Sequence, residues 1–331
     1  MEIAFLVPRP DKPSTRFRVQ SYLPFFSEAG FRTSIFSLSQ KALNRWKFFY
    51  SLRHFDLVLV QKKLFSFAEL LFIRQRAKRL VYDFDDAVMF KGGENMDFLN
   101  PQRQKRFERT VRMCDWIIAG NKYLKKEANL FSKRVSVLPT PVDTDKYIPR
   151  EEHTFSKVLT IGWIGSRSTV AYVEALLPVF YEIKAKFPQV TIKVVSDSFE
   201  ALNGAAEIER VQWREKEEVK ELQSFDIGIM PLPNNPWTKG KCGFKLLQYQ
   251  AVGIPVICSP VGVNREMVTE GVNGLFAYTN EEWFERLRRL ITSPELRMRM
   301  GRTGRKRVLD EYSLKVIWPQ FFSTLKRIQS L

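Results

Sequence analysis

Short apolar, β-branched runs alternate with longer segments of helical spacing along the whole chain. The run IAFLV (3–7) ends at Pro8. Residues 16–29 then place Phe17, Val19, Tyr22, Leu23, Phe25 and Phe26 at helical spacing and stop at Gly30. Strand-like runs follow at TSIFSL (33–38), LVLV (57–60), LVYDF (80–84), WIIA (116–119) and VSVL (135–138), with helical segments between most of them. Pro139, Pro141 and Pro149 bracket a linker. A second series begins with VLTIGWIG (158–165) and continues through TIKVV (191–195), DIGIM (226–230), PVIC (255–258) and LFAY (275–278). Between the first two of these, residues 171–186 have helical spacing. Alternation of this kind predicts an α/β fold: two Rossmann-like, doubly wound domains facing a cleft, with ligands beyond the carboxyl ends of the strands. No internal repeat or low-complexity segment interrupts it.

Size and composition agree. At 331 residues with 44% hydrophobic positions, the chain can bury two cores of ordinary size. No apolar run reaches the roughly 18 residues that a membrane span needs, and MEIAFLVPRP reads as a first strand rather than a signal peptide. Three cysteines without a CxxC fit a reduced, cytoplasmic setting. His54 and His153 are far apart, and with no His or Cys cluster a zinc site is not expected. The net charge of +17 is uneven. Residues 1–150 hold 28 Lys+Arg against 15 Asp+Glu, and the remainder 25 against 21. Such a field attracts anionic lipid, nucleic acid or phosphorylated substrates. There is no RNP-like motif, zinc finger or helix-turn-helix pattern, so nucleic acid is not an expected partner.

Residues 239–275, KGKCGFKLLQYQAVGIPVICSPVGVNREMVTEGVNGLF, carry the most chemistry. They read as a Gly-containing turn, a buried helix, a buried strand and a second Gly loop. A Gly turn opening a helix presents unpaired N–H groups and the positive dipole end to an anion. Lys241 and Lys245 flank that end. Positive charge there is unfavourable on its own, so the pair points to phosphate or pyrophosphate; the alternative is two solvated lysines at a helix start.

The same stretch is similar to the signature of group 1 retaining glycosyltransferases, whose LLEAMA-like helix, GxPV strand, PEIV turn and DGxNG loop appear here as LLQYQA (246–251), GIPVICSPVG (253–262), NREMV (264–268) and EGVNG (270–274). VSVLPTPVDTDKYIP (135–149) resembles the interdomain segment of that family, IGWIGSRS (161–168) its first C-domain strand and glycine turn, and DFDDAVMF (83–90) a subgroup with acidic residues near the acceptor. The resemblance implies the GT-B architecture, with an acceptor-binding domain over residues 1–150 and a nucleotide-sugar-binding domain over 151–313. It also implies a last helix, 314–331, that crosses back to the first domain. The implied activity is metal-independent transfer, with retention, of a hexosyl unit from a nucleotide-diphosphate sugar to a hydroxyl of a glycan or lipid-linked glycan, in cell-envelope polysaccharide or glycolipid synthesis. No cofactor is implied beyond the donor substrate. Two departures stand out. The family's pair of glutamates falls on Gly240 and Gln248, and its Arg and Lys after the first C-domain strand fall near Trp163 and Ser168. A catalytically weak nucleotide-sugar-binding homologue, or an epimerase of the same shape, are the alternative readings.

Glycosyl transfer of this kind builds negative charge on the leaving phosphate, which preorganised cations and N–H donors stabilise. Lys241, Lys245 and Arg167 are the expected catalytic cations. Gly165, Ser166, Cys242, Gly243, Phe244, Gln248 and Glu266 are the expected donor contacts; the Gln248 amide oxygen can accept a ribose hydroxyl, and Glu266 alternatively just favours a helix dipole. On the acceptor side stand Arg16, Arg18, Asp85 and Asp86. Asp83, Asp85 and Asp86 alternatively pair with Arg16 and Arg18, or gather a Mg²⁺ ion. Asn121 lies at the site edge or caps a helix. Segments 40–54 and 62–79 mix aromatic and basic residues. They read either as helices with a solvated basic face or as a contact with an anionic membrane surface, which would place the protein peripherally on the inner face of the cell membrane.

Overall fold

The inner strands of the first sheet grow from apolar runs buried on both faces, as parallel strands do, while its edge strand Arg32–Ser37 is partly exposed. Its strands are β1 (Glu2–Val7), β2 (Arg32–Ser37), β3 (Leu57–Gln61), β4 (Leu80–Phe84), β5 (Trp116–Ala119) and β6 (Val135–Val137). They are all parallel and ordered β2-β1-β3-β4-β5-β6. The computed structural model describes residues 1–39, 42–92, 98–150, 158–205 and 207–331, with backbone alone at 42 and 43. The first of its two units comprises Met1–Pro141, Lys239–Cys242 and Leu314–Leu331. Its core joins Ile3, Phe5, Tyr22, Phe26, Leu59 and Val81 to Ile317, Phe321, Leu325 and Ile328 from the last helix, Leu314–Gln329. Trp318 and Phe321 of that helix meet the Phe26 ring edge-on at centroid distances of 5.0 and 5.6 Å.

The helix expected over 16–29 is divided. Pro13–Arg18 and Leu23–Glu28 are separate helices joined by a 3₁₀ turn at Gln20–Tyr22. Pro24 cannot donate to the preceding turn, so it sits where a new helix begins.

The second unit comprises Val142–Thr238 and Gly243–Ser313. Its parallel strands β7 (Thr160–Gly165), β8 (Thr191–Ser196), β9 (Ile208–Gln212), β10 (Ile227–Met230), β11 (Val256–Cys258) and β12 (Gly274–Phe276) are ordered β12-β11-β10-β7-β8-β9. Ile161, Trp163, Val194, Ile229, Ile257, Trp283 and Leu287 lie in its core. Residues 167–186 form two helices, Arg167–Glu174 and Leu177–Lys186, because Pro178 restricts the residue before it and supplies no N–H. The boundary between units falls at Pro141/Val142 rather than at 150/151. Val142 pairs with Ser313, and Tyr147 is fully buried with its hydroxyl on Glu218, so this segment is committed to the second unit.

Strand order reverses between β1 and β3 in one sheet and between β7 and β10 in the other. Each reversal leaves a crevice beyond the carboxyl ends of the strands, and both groups of candidate residues sit at such ends.

Candidate functional site

On the second unit the site is built around Gly165, the last residue of β7. A Cβ there would strike the Trp163 ring and come within 2.7 Å of Lys245 Cε. The missing side chain therefore lets the lysine stem lie over the turn, with Nζ 5.2 Å from the Trp163 ring centroid. Lys245 belongs to the first turn of the helix Phe244–Ala251, whose N-cap, Gly243, is left-handed at φ 69°. A Cβ on Gly243 would lie 2.5 Å from Met267 Sδ and 2.9 Å from Val263 Cγ1, so the helix start is pressed against the neighbouring short helix Asn264–Met267. Gly243 contributes no side-chain cap, which leaves the first-turn amides of this eight-residue helix to backbone or ligand acceptors. Glycine, lysine and helix start thus converge on one turn.

Other donor-side expectations are redirected. Arg167 opens its helix with its N–H on Asp197 (2.6 Å) and its guanidinium on Glu200 (2.6 Å), both exposed. A carboxylate already sits at this helix N-terminus, where the dipole favours it. Ser166 shares a hydrogen bond with Ser168 at 3.1 Å and makes no capping bond. Gln248 is buried, and its amide nitrogen donates to the Tyr147 hydroxyl at 3.4 Å, which in turn donates to Glu218; Trp213 Nε1 reaches the same carboxylate at 3.1 Å. Its amide nitrogen is therefore tied into an internal network, while the expected ribose contact falls to its amide oxygen. Glu266 lies exposed in the first turn of Asn264–Met267, and its carbonyl accepts from Arg307 at 2.7 Å.

On the first unit, β4 runs out into Asp85 and Asp86, and β3 into Lys62. Lys62 is the one non-glycine residue with positive φ, 57°, among the described residues. Its N–H donates to the Asp83 carbonyl (2.8 Å), and its own carbonyl accepts from the Tyr82 hydroxyl (3.2 Å). Its ammonium lies 3.1 Å from Asp85 and 2.5 Å from Asp86. The other oxygen of Asp86 takes Lys241 at 3.2 Å. Asn121 caps the helix Lys122–Asn129 through the Leu124 N–H and donates to the carbonyls of Gly240 (3.3 Å) and Lys241 (3.1 Å). Lys239–Cys242 is thus fixed to the first unit. Gly240 is pressed on Ala87, where a Cβ would come within 2.5 Å of the alanine methyl. A side chain at 240 would therefore require Ala87 to shift.

Arg18 is buried. It forks onto Asp83, with Nε 2.9 Å from Oδ2, and donates to the Leu138 carbonyl and Thr140 hydroxyl. Arg16 is also buried, stacked 4.4 Å from the Phe17 ring centroid. Arg18, expected on the acceptor side, is thus engaged by partners inside the fold. Asp83, Asp85 and Asp86 are met by Arg18, Lys62 and Lys241, three cations for three carboxylates. Burial pushes the Asp83 carboxyl up against the pull of Arg18. At Asp86 burial acts the same way, but Lys241 and Lys62 overcome it and hold the carboxyl well below the usual range. Among the described residues no group of His, Cys, Asp and Glu is arranged to hold a metal ion. Lys62 was not anticipated. Its only sequence signal is its place at the end of β3, beside the reversal in strand order.

The aromatic–basic segments form the helices Ala42–Ser51 and Phe67–Arg76. Phe48, Phe49, Leu70 and Ile73 turn inward, whereas Trp46, Tyr50, Phe67 and Leu71 are exposed. Arg53 and Arg76 lie over Tyr50, each at 4.5 Å, and Arg109 over Phe67 at 4.8 Å. No helix among the described residues is long and apolar enough to cross a membrane. Gln40, Lys41 and His153 lie outside the described residues.

Comparison with known proteins places this geometry. Sucrose-phosphate synthase from Thermosynechococcus elongatus superposes with a TM-score of 0.82 at 13% identity, covering 100% of both chains. HepE from Anabaena, solved with UDP and glucose, gives 0.74 at 14% identity over 99% of this chain and 100% of that one. A glycosyltransferase from Rickettsia africae gives 0.76 at 12% identity over 99% and 98%. No curated protein matches the chain in sequence. Residues 148–307 match the family model described as glycosyl transferases group 1. The chain therefore has the GT-B fold, and residues 148–307 are similar to the group 1 glycosyl transferase model.

Proposed function

We propose that the protein is a retaining glycosyltransferase that takes a hexosyl unit from a nucleotide-diphosphate sugar and places it on a hydroxyl of a glycan or lipid-linked glycan. The observation that carries the reading is the meeting of Lys245 with the Gly165 turn at a helix start opened by a left-handed glycine. An ammonium and aligned amides at one point suit a diphosphate whose charge grows as the sugar leaves. The complex of HepE with UDP and glucose supports a nucleotide-sugar donor. Asp86, partly exposed beside buried Asp85, is the carboxylate offered to an acceptor hydroxyl. Because the acidic cluster is neutralised by side-chain cations, metal-independent transfer is the reading we favour. Exposed aromatics flanked by arginines support a peripheral site on anionic membranes, and with it a role in cell-envelope polysaccharide or glycolipid synthesis.

The test is a panel of UDP-, GDP-, ADP- and TDP-sugars, followed by turnover with the donor that raises thermal stability. In Lys245→Ala, kcat should drop by about a hundredfold to a thousandfold with the melting temperature little changed. Equal turnover in wild type and variant would remove the lysine from the chemistry. A second reading, nucleotide-sugar binding without turnover, is favoured by the absence of carboxylates at 240 and 248. Stabilisation by a donor with neither transfer nor hydrolysis would select it.

A further inference from the structure

We infer that Lys62 is a positioning residue: its ammonium, set by a left-handed backbone at the end of β3, orients Asp85 and Asp86 so that Asp86 presents an oxygen to the acceptor hydroxyl. The inference rests on the acceptor role proposed above for Asp86.

Left-handed backbone is disfavoured for any residue with a Cβ. It persists where surrounding bonds over-determine it, and such sites concentrate where function requires a fixed geometry. Lys62 meets that description. The Asp83 carbonyl holds its N–H at 2.8 Å and the Tyr82 hydroxyl holds its carbonyl at 3.2 Å, so the peptide is pinned on both sides. The stem is then committed to one direction. Its ammonium donates to Asp86 Oδ2 at 2.5 Å and lies at ion-pair distance, 3.1 Å, from Asp85 Oδ1. A lysine spanning two carboxylates fixes their relative orientation and suppresses their mutual repulsion.

The two aspartates differ in access. Asp85 is buried, whereas the Asp86 side chain keeps 23% of its surface exposed. Asp86 Oδ2 is occupied by Lys62, and Oδ1 faces Lys241 at 3.2 Å. Oδ1 is therefore the oxygen that exchanges partners when a hydroxyl arrives, while Oδ2 stays anchored. The charged groups around Asp86 are Lys62 and Asp85 from the ends of β3 and β4, Lys241 from Lys239–Cys242, and the Arg18–Asp83 pair behind them. With both lysines present the carboxylate remains ionised in acid, because its carboxyl is held below the usual range. Removing Lys62 moves it back up.

Two variants separate positioning from folding. Lys62→Asn deletes the ammonium with a residue that tolerates left-handed backbone. Lys62→Arg keeps a cation. Wild type and both variants are assayed with UDP-glucose as donor probe and octyl glucoside as acceptor probe, scoring transfer against hydrolysis of the same donor. Lys62→Asn should lower transfer relative to hydrolysis by roughly tenfold to a hundredfold, raise KM for octyl glucoside, and shift the acid limb of transfer to higher pH. Lys62→Arg should recover most of the transfer. Parallel losses of transfer and hydrolysis, or an unshifted acid limb, would overturn the inference. The ¹³C carboxyl titration of Asp86 in wild type and Lys62→Asn reads the same hold without turnover. A midpoint that does not rise in the variant overturns it. A raised midpoint in a protein that transfers nothing upholds the grip of Lys62 and defeats the glycosyl-transfer reading instead.

Discussion

Lys241 and Lys245 stand four positions apart and have different partners. One rests on Asp86 and the other over Trp163. Gly243, between them, makes this possible, because only a residue without a Cβ enters the left-handed region at that point without meeting Met267 and Val263. Gly243→Ala is therefore expected to lose about 1–2 kcal/mol from the backbone alone, with a further penalty from the clash, measured by urea unfolding. A stability equal to wild type would mean that the turn relaxes freely. The glycines and lysines of this stretch were legible because their residue types admit few uses in that order. The internal partners of Arg167 and Gln248 were not. Sequence spacing placed both near the donor turn but carried no information on side-chain direction, and the decisive partners, Glu200 and Tyr147, come from distant positions. Lys62 was illegible for a related reason: two lysines after an apolar strand look like a solvated turn until the backbone angle is known.

At the scale of elements, the ends of β1, β3, β4 and β6 are tied together by buried charge. Arg18 spans from the helix after β1 to Asp83 on β4 and to the carbonyl of Leu138. Arg18→Met strands Asp83 without its partner. We expect a loss of about 3–5 kcal/mol in denaturant-induced unfolding, and a smaller loss when Asp83→Leu is added to the same chain. If the double variant were no better than the single one, the pair would not be the cause. Strand identity was read correctly wherever an apolar run was long. It failed at β9, IERVQ, in which Ile208 is buried but Glu209, Arg210 and Gln212 are exposed. An edge strand with one wet face and charged positions carries little apolar signal. Helix lengths failed at Pro24 and Pro178, where periodicity ran through a residue that ends one helix and starts another.

For the molecule as a whole, the positive excess of residues 1–150 and the exposed Trp46, Tyr50, Phe67 and Leu71 belong to the same part of the chain. Charge draws a protein to an anionic surface within a Debye length, about 10 Å at 0.1 M salt and about 3 Å at 1 M. Co-sedimentation with vesicles rich in anionic lipid should accordingly be strong at low salt and lost at 1 M. Trp46→Ala and Arg76→Glu should each weaken it, and binding that ignores both salt and these substitutions would point to another surface.

The first unit takes its final helix, Leu314–Gln329, from beyond the second unit in chain order. During synthesis Tyr22 and Phe26 therefore emerge some three hundred residues before Phe321 arrives to cover them. Until then the aromatic face that this helix covers stays open on the nascent chain, and the unit that starts first is the one that finishes last.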